Sequence, residues 1–476
     1  MTHSTAIDSE RIKRILPWLI AFGLFMETLD ISILNTAVPA MARSLALNPL
    51  TLKAALTSYT LSLAIFIPIS GWVSDRFGTH RVFCGAIGIF MLGSLVCGLA
   101  INLHWLIGAR VVQGIGGALM VPVGRSVLIR TFPKADMLRA MSFVAIPALV
   151  GPVIGPFLGG FIADYFHWRF IFFINLPIGL VGLYFAYQYM PNYTSAKPIA
   201  LDWIGFILFC SGVSGLSYAL ELLGEHHLPL STVLLICAGS ATLLLIYTVY
   251  ALRHKHPIIN VRLFRSRTFT IAITGGWITR LGLGGVPFIL PLFYQLGFGL
   301  SPTQSGLLVM PQALGVLGMK TIASKLLHRF GYQFTLFSNT IMVGILLCFL
   351  SMVGPHTPIW LITILIFLLG LGSSLQFTSI NTLTYADIAS EKASMGTSIA
   401  SIAQQLSTSF GVALAAVLIG LFIPTGTTTA ASQIILFSAF NKTFLVLGLL
   451  TILSTAIFHQ LHPEDGNTML KRGSDI

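Results

Sequence analysis

Charge is what this chain has least of. Of 476 residues, 27 are Lys or Arg and 15 are Asp or Glu, so that 9% are charged, where a soluble globular protein carries about a quarter. That is too little to cover a water-facing surface. A hydrophobic share of 55%, with 34 Phe, excludes a disordered chain as well. Cysteine is also scarce: Cys84, Cys97, Cys210, Cys237 and Cys348 all fall in apolar runs without a Cys-x-x-Cys pair, which argues against a disulfide framework or a zinc site. No His-Glu-x-x-His spacing occurs, and the histidines lie mostly in polar connections, so no metal is expected. The phosphate-cradling pattern Gly-x-x-x-x-Gly-Lys-Ser/Thr is missing too. Its closest fragment, Gly318-Met319-Lys320-Thr321, lacks the adjacent Gly-Lys and lies in an apolar run, so no nucleotide is expected. No connection between apolar runs is long enough for a soluble catalytic or output domain, which speaks against an enzyme and against a receptor.

What the chain has in quantity is apolar runs. About 20 apolar residues cross a bilayer as a helix, and fourteen such runs can be read, from 17–38 to 443–458. Ala40-Met41-Ala42 resembles a signal-peptide cleavage site, yet the run before it is too long and carries Glu27 and Asp30, so it reads as a retained helix. With the N-terminus placed in the cytoplasm, nineteen Lys and Arg fall in inside segments and four (Arg43, Lys53, Arg169, Lys442) outside. That bias puts both termini in the cytoplasm. The net charge of +12 is thus a topology signal and needs no nucleic acid. The basic cluster between Arg253 and Arg267 also suits anionic lipid heads.

The chain repeats itself. Asp75-Arg76-Phe77-Gly78 returns as His328-Arg329-Phe330-Gly331, an offset of 253 residues that also carries the first apolar run onto the ninth. The expected organisation is a cytoplasmic tail (1–16), a six-helix bundle (17–190), an inserted helix pair (191–252), a basic cytoplasmic loop (253–268), a second six-helix bundle (269–460) and a cytoplasmic tail (461–476). Repeated halves are the build of secondary transporters.

Six charges stay inside the runs: Glu27, Asp30, Arg110, Arg125, Arg280 and Lys320. Asp30 lies near the middle of the first run with Glu27 three residues earlier, and hydrocarbon disfavours the charged form of an acid. Two readings stand: a coupled proton-carrying pair, or a permanent ion pair of Asp30 with Arg110 or Arg280. Arg110, Gln113, Gly114 and Gly117 share one helical face; Arg110 either meets a partner or snorkels outward. Gly151, Gly155 and Gly159 form a smooth stripe beside Pro152 and Pro156, suited to sliding or to ordinary close packing. Asn35, Gln113, Arg280, Asn381 and Gln405 are candidate cavity residues. The stripes Ser374, Thr378, Asn381 and Ser398, Ser401, Gln405, Thr408 either line a wet cavity or bond between helices. The in-run charges sum to +2, which favours anionic or zwitterionic amphiphiles over lipophilic cations.

Five segments carry a resemblance. Residues 71–81, with Gly71, Asp75, Arg76, Gly78 and Arg81, resemble the loop between helices two and three of the major facilitator superfamily. Residues 106–117 are similar to its helix-four pattern, and 151–160 to its helix-five antiporter pattern. Residues 29–39 and 168–177 resemble the fourteen-span drug:proton antiporters, and most nearly the MdtD-type multidrug exporters. The resemblance implies an all-α, fourteen-helix protein of a bacterial inner membrane, working by alternating access. It also implies a conformational latch at the 71–81 loop, a glycine face in helix five that seals and opens the pathway, and Asp30 as the proton site. The partners implied are protons, the lipid bilayer and an amphiphilic small molecule, with nothing that demands a periplasmic export partner. A dedicated exporter or importer of one metabolite, such as a siderophore, is the close alternative, and a non-transporting receptor the distant one.

Overall fold

The computed structural model describes residues 2–132, 134–194, 200–223, 229–388, 393–423, 432–466 and 469. Most of the expected C-terminal tail, with Lys471 and Arg472, lies outside the described residues, as do Lys197 and Lys392 of the inside connections. Helices make up the fold, and no strand occurs among the described residues. The helices fall into two compact units, residues 1–201 and 202–476.

The first unit contains α1 (Thr2–Leu45), α2 (Lys53–Phe77), α3 (Thr79–Gly98), α4 (Leu103–Thr131), α5 (Lys134–Tyr165), α6 (Phe170–Phe173) and α7 (Asn175–Tyr189). Asn102 starts α4 by accepting a hydrogen bond from the Trp105 amide at 2.8 Å, an N-cap that satisfies one of the free N–H groups. Pro39 does not end α1, which runs on to Leu45. The core of this unit packs Leu16 and Ile20 of α1 against Phe83 and Ile87 of α3 and Met120 and Val123 of α4.

The second unit contains α8 (Trp203–Leu223), α9 (Leu230–Arg253), α10 (Arg267–Gly284), α11 (Val286–Leu292), α12 (Pro302–Leu350), α13 (Ile359–Thr384), α14 (Ala393–Phe422), α15 (Ser432–Leu453) and α16 (Thr455–Phe458). Asp202 anchors the α8–α9 pair: it accepts from the Gly205 amide at 2.9 Å and from the Tyr250 hydroxyl at 2.8 Å. Phe293, Phe298, Phe437, Phe440 and Phe444 meet edge to face in one aromatic cluster, the arrangement ring quadrupoles prefer.

Among the described residues twelve helices are long and apolar enough to cross a membrane, against the fourteen runs read from the sequence. Two places account for the difference. Pro302–Leu350 has 49 residues and is broken at Gly331, where φ is 72°; unbroken it would be about 74 Å long, more than twice a bilayer core. The fifth run shows only as the shorter apolar stretch Leu149–Tyr165 of α5. The outer faces are apolar, with Leu235 73% and Ile434 76% exposed, as lipid contact requires. Burial separates α9, whose apolar window is 17% buried, from the span Arg267–Gly297 at 72%. Among the described apolar spans, α8 and α9 are the least buried, at 28% and 17%.

The internal repeat is written into the backbone. Gly78 and Gly331, equivalent by the 253-residue offset, both adopt positive φ (91° and 72°). The preceding arginines, Arg76 and Arg329, each lie over the ring of the next phenylalanine, at 5.9 and 5.4 Å.

Candidate functional site

Two charged residues of the first unit meet in its interior. Asp30 on α1 is 1% exposed and Arg110 on α4 is fully buried. Arg110 Nη1 donates to Asp30 Oδ2 at 2.5 Å and to Gln113 Oε1 at 2.5 Å. Gln113 Nε2 and Asn175 Nδ2 donate to the other carboxylate oxygen at 2.7 and 2.8 Å. Both amides also donate to Ser94 Oγ on α3, at 2.8 and 3.2 Å. On the α2 side Nε donates to the Ala55 carbonyl at 3.0 Å and the Tyr59 ring lies 4.2 Å away, a cation–π contact strengthened by desolvation, while Nη2 has no hydrogen-bond partner. Five helices thus supply one polar cluster. Gly93 lets α3 come this close, since a Cβ there would stand 2.6 Å from the Gln113 backbone.

Asp30 is ion-paired in this structure, with Arg110 rather than Arg280. Arg110 does not snorkel to an interface, because the pair and the cation–π contact hold it inside. Gln113 belongs to this buried cluster. Asn35 is 8% exposed and donates to the Ile31 carbonyl of its own helix at 3.3 Å. Glu27, also 8% exposed, joins no ion pair among the described residues, and its Oε2 has no hydrogen-bond partner. Asn175, Ser94 and Tyr59 had no assigned role in the sequence; as uncharged residues in apolar runs they gave no signal beyond their polarity.

The helix-five stripe faces α1 in its own unit. A Cβ on Gly151, Gly155 or Gly159 would come within 2.4 Å of Thr28 Oγ1, 2.0 Å of Ser32 Oγ or 2.1 Å of the Ile33 carbonyl. Ser32 Oγ donates back to the Gly151 carbonyl at 3.1 Å. Pro156 is buried beside the stripe while Pro152 is exposed. The stripe seats the segment of α1 that carries Asp30.

At the 71–81 loop, Asp75 pairs with Arg130 at the end of α4 (2.7 Å), a partner that no spacing in the sequence singles out. Arg76 lies over Trp72 and Phe77 of its own helix rather than reaching another helix end. Arg81 is exposed. Gly78 is required by its φ, and a Cβ there would also meet Asn192 Oδ1 at 2.2 Å. Gly71 is not required sterically, with no atom within 4 Å of a Cβ.

In the second unit two in-run cations, Arg280 and Lys320, join no ion pair among the described residues. Arg280 on α10 is 3% exposed and donates to Asn381 Oδ1 at 3.4 Å. Lys320 on α12 is exposed and donates to Thr378 Oγ1 at 3.2 Å. Ser374, in contrast, bonds the Val316 carbonyl at 2.9 Å, a helix-packing role. Gln405 is half-buried. An apolar cavity of about 430 Å³ is lined by Phe209, Phe264, Trp277, Ile278, Ile399 and Ala403, within the size range of small-molecule sites.

Apolar-faced helices around a buried ion-pair cluster fit a multi-pass membrane transporter of the secondary type. The chain belongs to the Major Facilitator Superfamily, whose family model matches residues 20–412. It is 39% identical to the “Putative multidrug resistance protein MdtD” of Pectobacterium atrosepticum, over 94% of this chain and 95% of that one. It is 40% identical to the protein of the same description in Serratia proteamaculans, over 95% and 94%. Among solved structures it resembles a POT family transporter in complex with a thioalcohol-conjugated peptide (TM-score 0.70, 15% identity, 93% and 94% covered). It also resembles a D-xylose–proton symporter (TM-score 0.66, 15% identity, 95% and 98% covered). The protein is thus a multi-pass inner-membrane protein and no enzyme.

The Asp75–Arg130 pair is about one-third exposed on each side. Arg130→Gln is therefore expected to cost only about 0.2–1 kcal/mol of stability. If the pair latches one transport state, the same variant slows transport several-fold at an unchanged melting temperature. Equal transport rates in wild type and variant would leave it a surface ion pair.

Proposed function

We propose that this chain is a proton-coupled transporter that exports drugs or other amphiphilic small molecules by alternating access. In this reading it crosses the membrane fourteen times, as two six-helix bundles and an inserted pair, with both termini cytoplasmic. The observation that carries the proposal is the sealed cluster around Asp30. A mid-span acid that is 1% exposed is costly to keep unless function requires it. Both Asp30 oxygens accept hydrogen bonds from N–H donors. In the proposed cycle Arg110 lets go when Asp30 carries the proton, and the Tyr59 ring, the Ala55 carbonyl and Gln113 are placed to keep the guanidinium when it does. Because α1, α2, α3, α4 and α7 all contribute, the change in proton occupancy is felt by five helices at once. Glu27, three residues earlier on α1 with a free buried oxygen, supplies a second proton acceptor on the same helix. The relatives' description supports drugs as substrates, and the glycine stripe supports export through its resemblance to the antiporter pattern.

The test is reconstitution in liposomes under an imposed pH gradient, with a panel of cationic, neutral and anionic amphiphiles. Proton movement opposite to the compound, evoked by its addition, is expected for at least one of them. If every compound leaves the proton flux unchanged, the coupling reading fails.

A further inference from the structure

Arg280 is a buried cation with nothing negative to meet. It forms no ion pair among the described residues; its contacts are a long hydrogen bond to Asn381 (3.4 Å) and the Phe377 ring at 5.1 Å. Its Nε has no hydrogen-bond partner. Asp387 does not serve it, since that carboxylate accepts from Thr268 at the start of α10 (2.6 Å), about 18 Å along the helix from Arg280. Burying a guanidinium on these terms is costly unless a counter-charge arrives.

A second cation stands beside it. Lys320 also joins no ion pair among the described residues, and its ammonium donates to Thr378. Thr378 and Asn381 are three residues apart on α13, so their side chains are neighbours on one face, with about 5–6 Å between Cβ atoms. Two cationic heads from different helices, α10 and α12, thus converge on one patch of a third. The first unit shows what the fold does with an arginine that is to stay neutralised: it supplies Asp30. The repeat does not supply an acid here; by the 253-residue offset the position of Glu27 is taken by Arg280 itself.

We propose that Arg280 and Lys320 form a binding site for the anionic head of an amphiphile, a carboxylate or a group of like charge and size. The planar guanidinium fork suits two oxygens of one carboxylate. The mobile ammonium of Lys320 closes on the same group from α12, and Phe377 floors the site. This deepens the transport reading above and rests on it for the ligand's being cargo. It makes organic anions a substrate class of the protein, in line with the +2 sum of charges within the apolar runs.

The test uses purified full-length protein in nanodiscs of zwitterionic lipid without any gradient, so a failure of proton coupling leaves it readable. Two fluorescent probes share one ring system and differ in charge: anthracene-9-carboxylate and 9-(aminomethyl)anthracene. Saturable binding of the carboxylate is expected, weakened about tenfold or more in Arg280→Gln and less in Lys320→Gln, as loss of a charge-assisted hydrogen bond implies. The ammonium probe should bind no worse in either variant. Asn381→Asp places a carboxylate beside Arg280 and should also weaken the anionic probe, which keeps the test alive if Arg280→Gln does not fold. Nanodiscs containing phosphatidylglycerol separate the sources of the anion. Competition by that lipid in wild type, lost in Arg280→Gln, assigns the same site to a lipid headgroup and overturns the cargo reading. No saturable carboxylate binding, or equal affinity in wild type and all three variants, overturns the site itself.

Discussion

Asp30→Asn is expected to abolish proton-driven transport and to destabilise the first bundle at the same time. The amide keeps one acceptor for Gln113 and Asn175, but it turns an N–H toward Arg110 Nη1, where the carboxylate now accepts at 2.5 Å. Breaking a buried pair on one side costs about 3–5 kcal/mol, because the other charge is left uncompensated. Arg110→Gln should cost a similar amount for the mirror-image reason. The informative protein is therefore the double variant Asp30→Asn/Arg110→Gln, in which no charge is left over. Its melting temperature should recover most of the loss, while substrate-evoked proton movement in liposomes stays absent. Proton-driven transport in the double variant would mean that the pair is structural only and that the proton travels elsewhere, with Glu27 the next residue to replace.

Gly155→Ala is the second large effect expected. The new Cβ would lie 2.0 Å from Ser32 Oγ, and overpacking of this kind costs about 1–3 kcal/mol. The strain falls on α1 two residues from Asp30, so transport should drop along with stability. A swap, Ser32→Gly with Gly155→Ala, moves the small residue to the other helix and should restore both. Gly71→Ala is the control. It lies in the most recognisable loop of the chain, yet nothing stands within 4 Å of its Cβ, and its effect on stability should stay within about 0.5 kcal/mol. A severe loss in Gly71→Ala beside a silent Gly155→Ala would reverse the assignment of which glycines hold helices together.

The class of fold was legible because a bilayer imposes it: runs of apolar residues have few other destinations. The repeat was legible from two tetrapeptides and is visible in the positive φ of Gly78 and Gly331. The acids were legible as functional candidates because a carboxylate in an apolar run is expensive. The partner of Asp30 was one of two arginines until the helices were placed, since pairing across 80 residues depends on packing that no periodicity reveals. Asn175 and Ser94 stayed hidden for a related reason, as an uncharged polar residue in a span is cheap enough to be ordinary. The stripe Gly151, Gly155, Gly159 was legible as a face, but what lies against it was not; it turned out to be α1 of the same unit. Helix ends were the least legible. Pro39 sits inside α1, and the break expected between the tenth and eleventh runs comes down to one residue, Gly331, whose positive φ separates two helices.

The Asp30–Arg110 pair also has an electrical consequence. With the pair intact the cluster carries no net charge, and a proton on Asp30 leaves it at +1. A membrane potential acts on one elementary charge with about 2.3 kcal/mol per 100 mV over the full field. In the proposed cycle, voltage therefore acts on the Asp30 cluster in the leg that carries the proton and not in the leg that does not. An inside-negative cell draws the loaded bundle inward even when the pH on the two sides is the same.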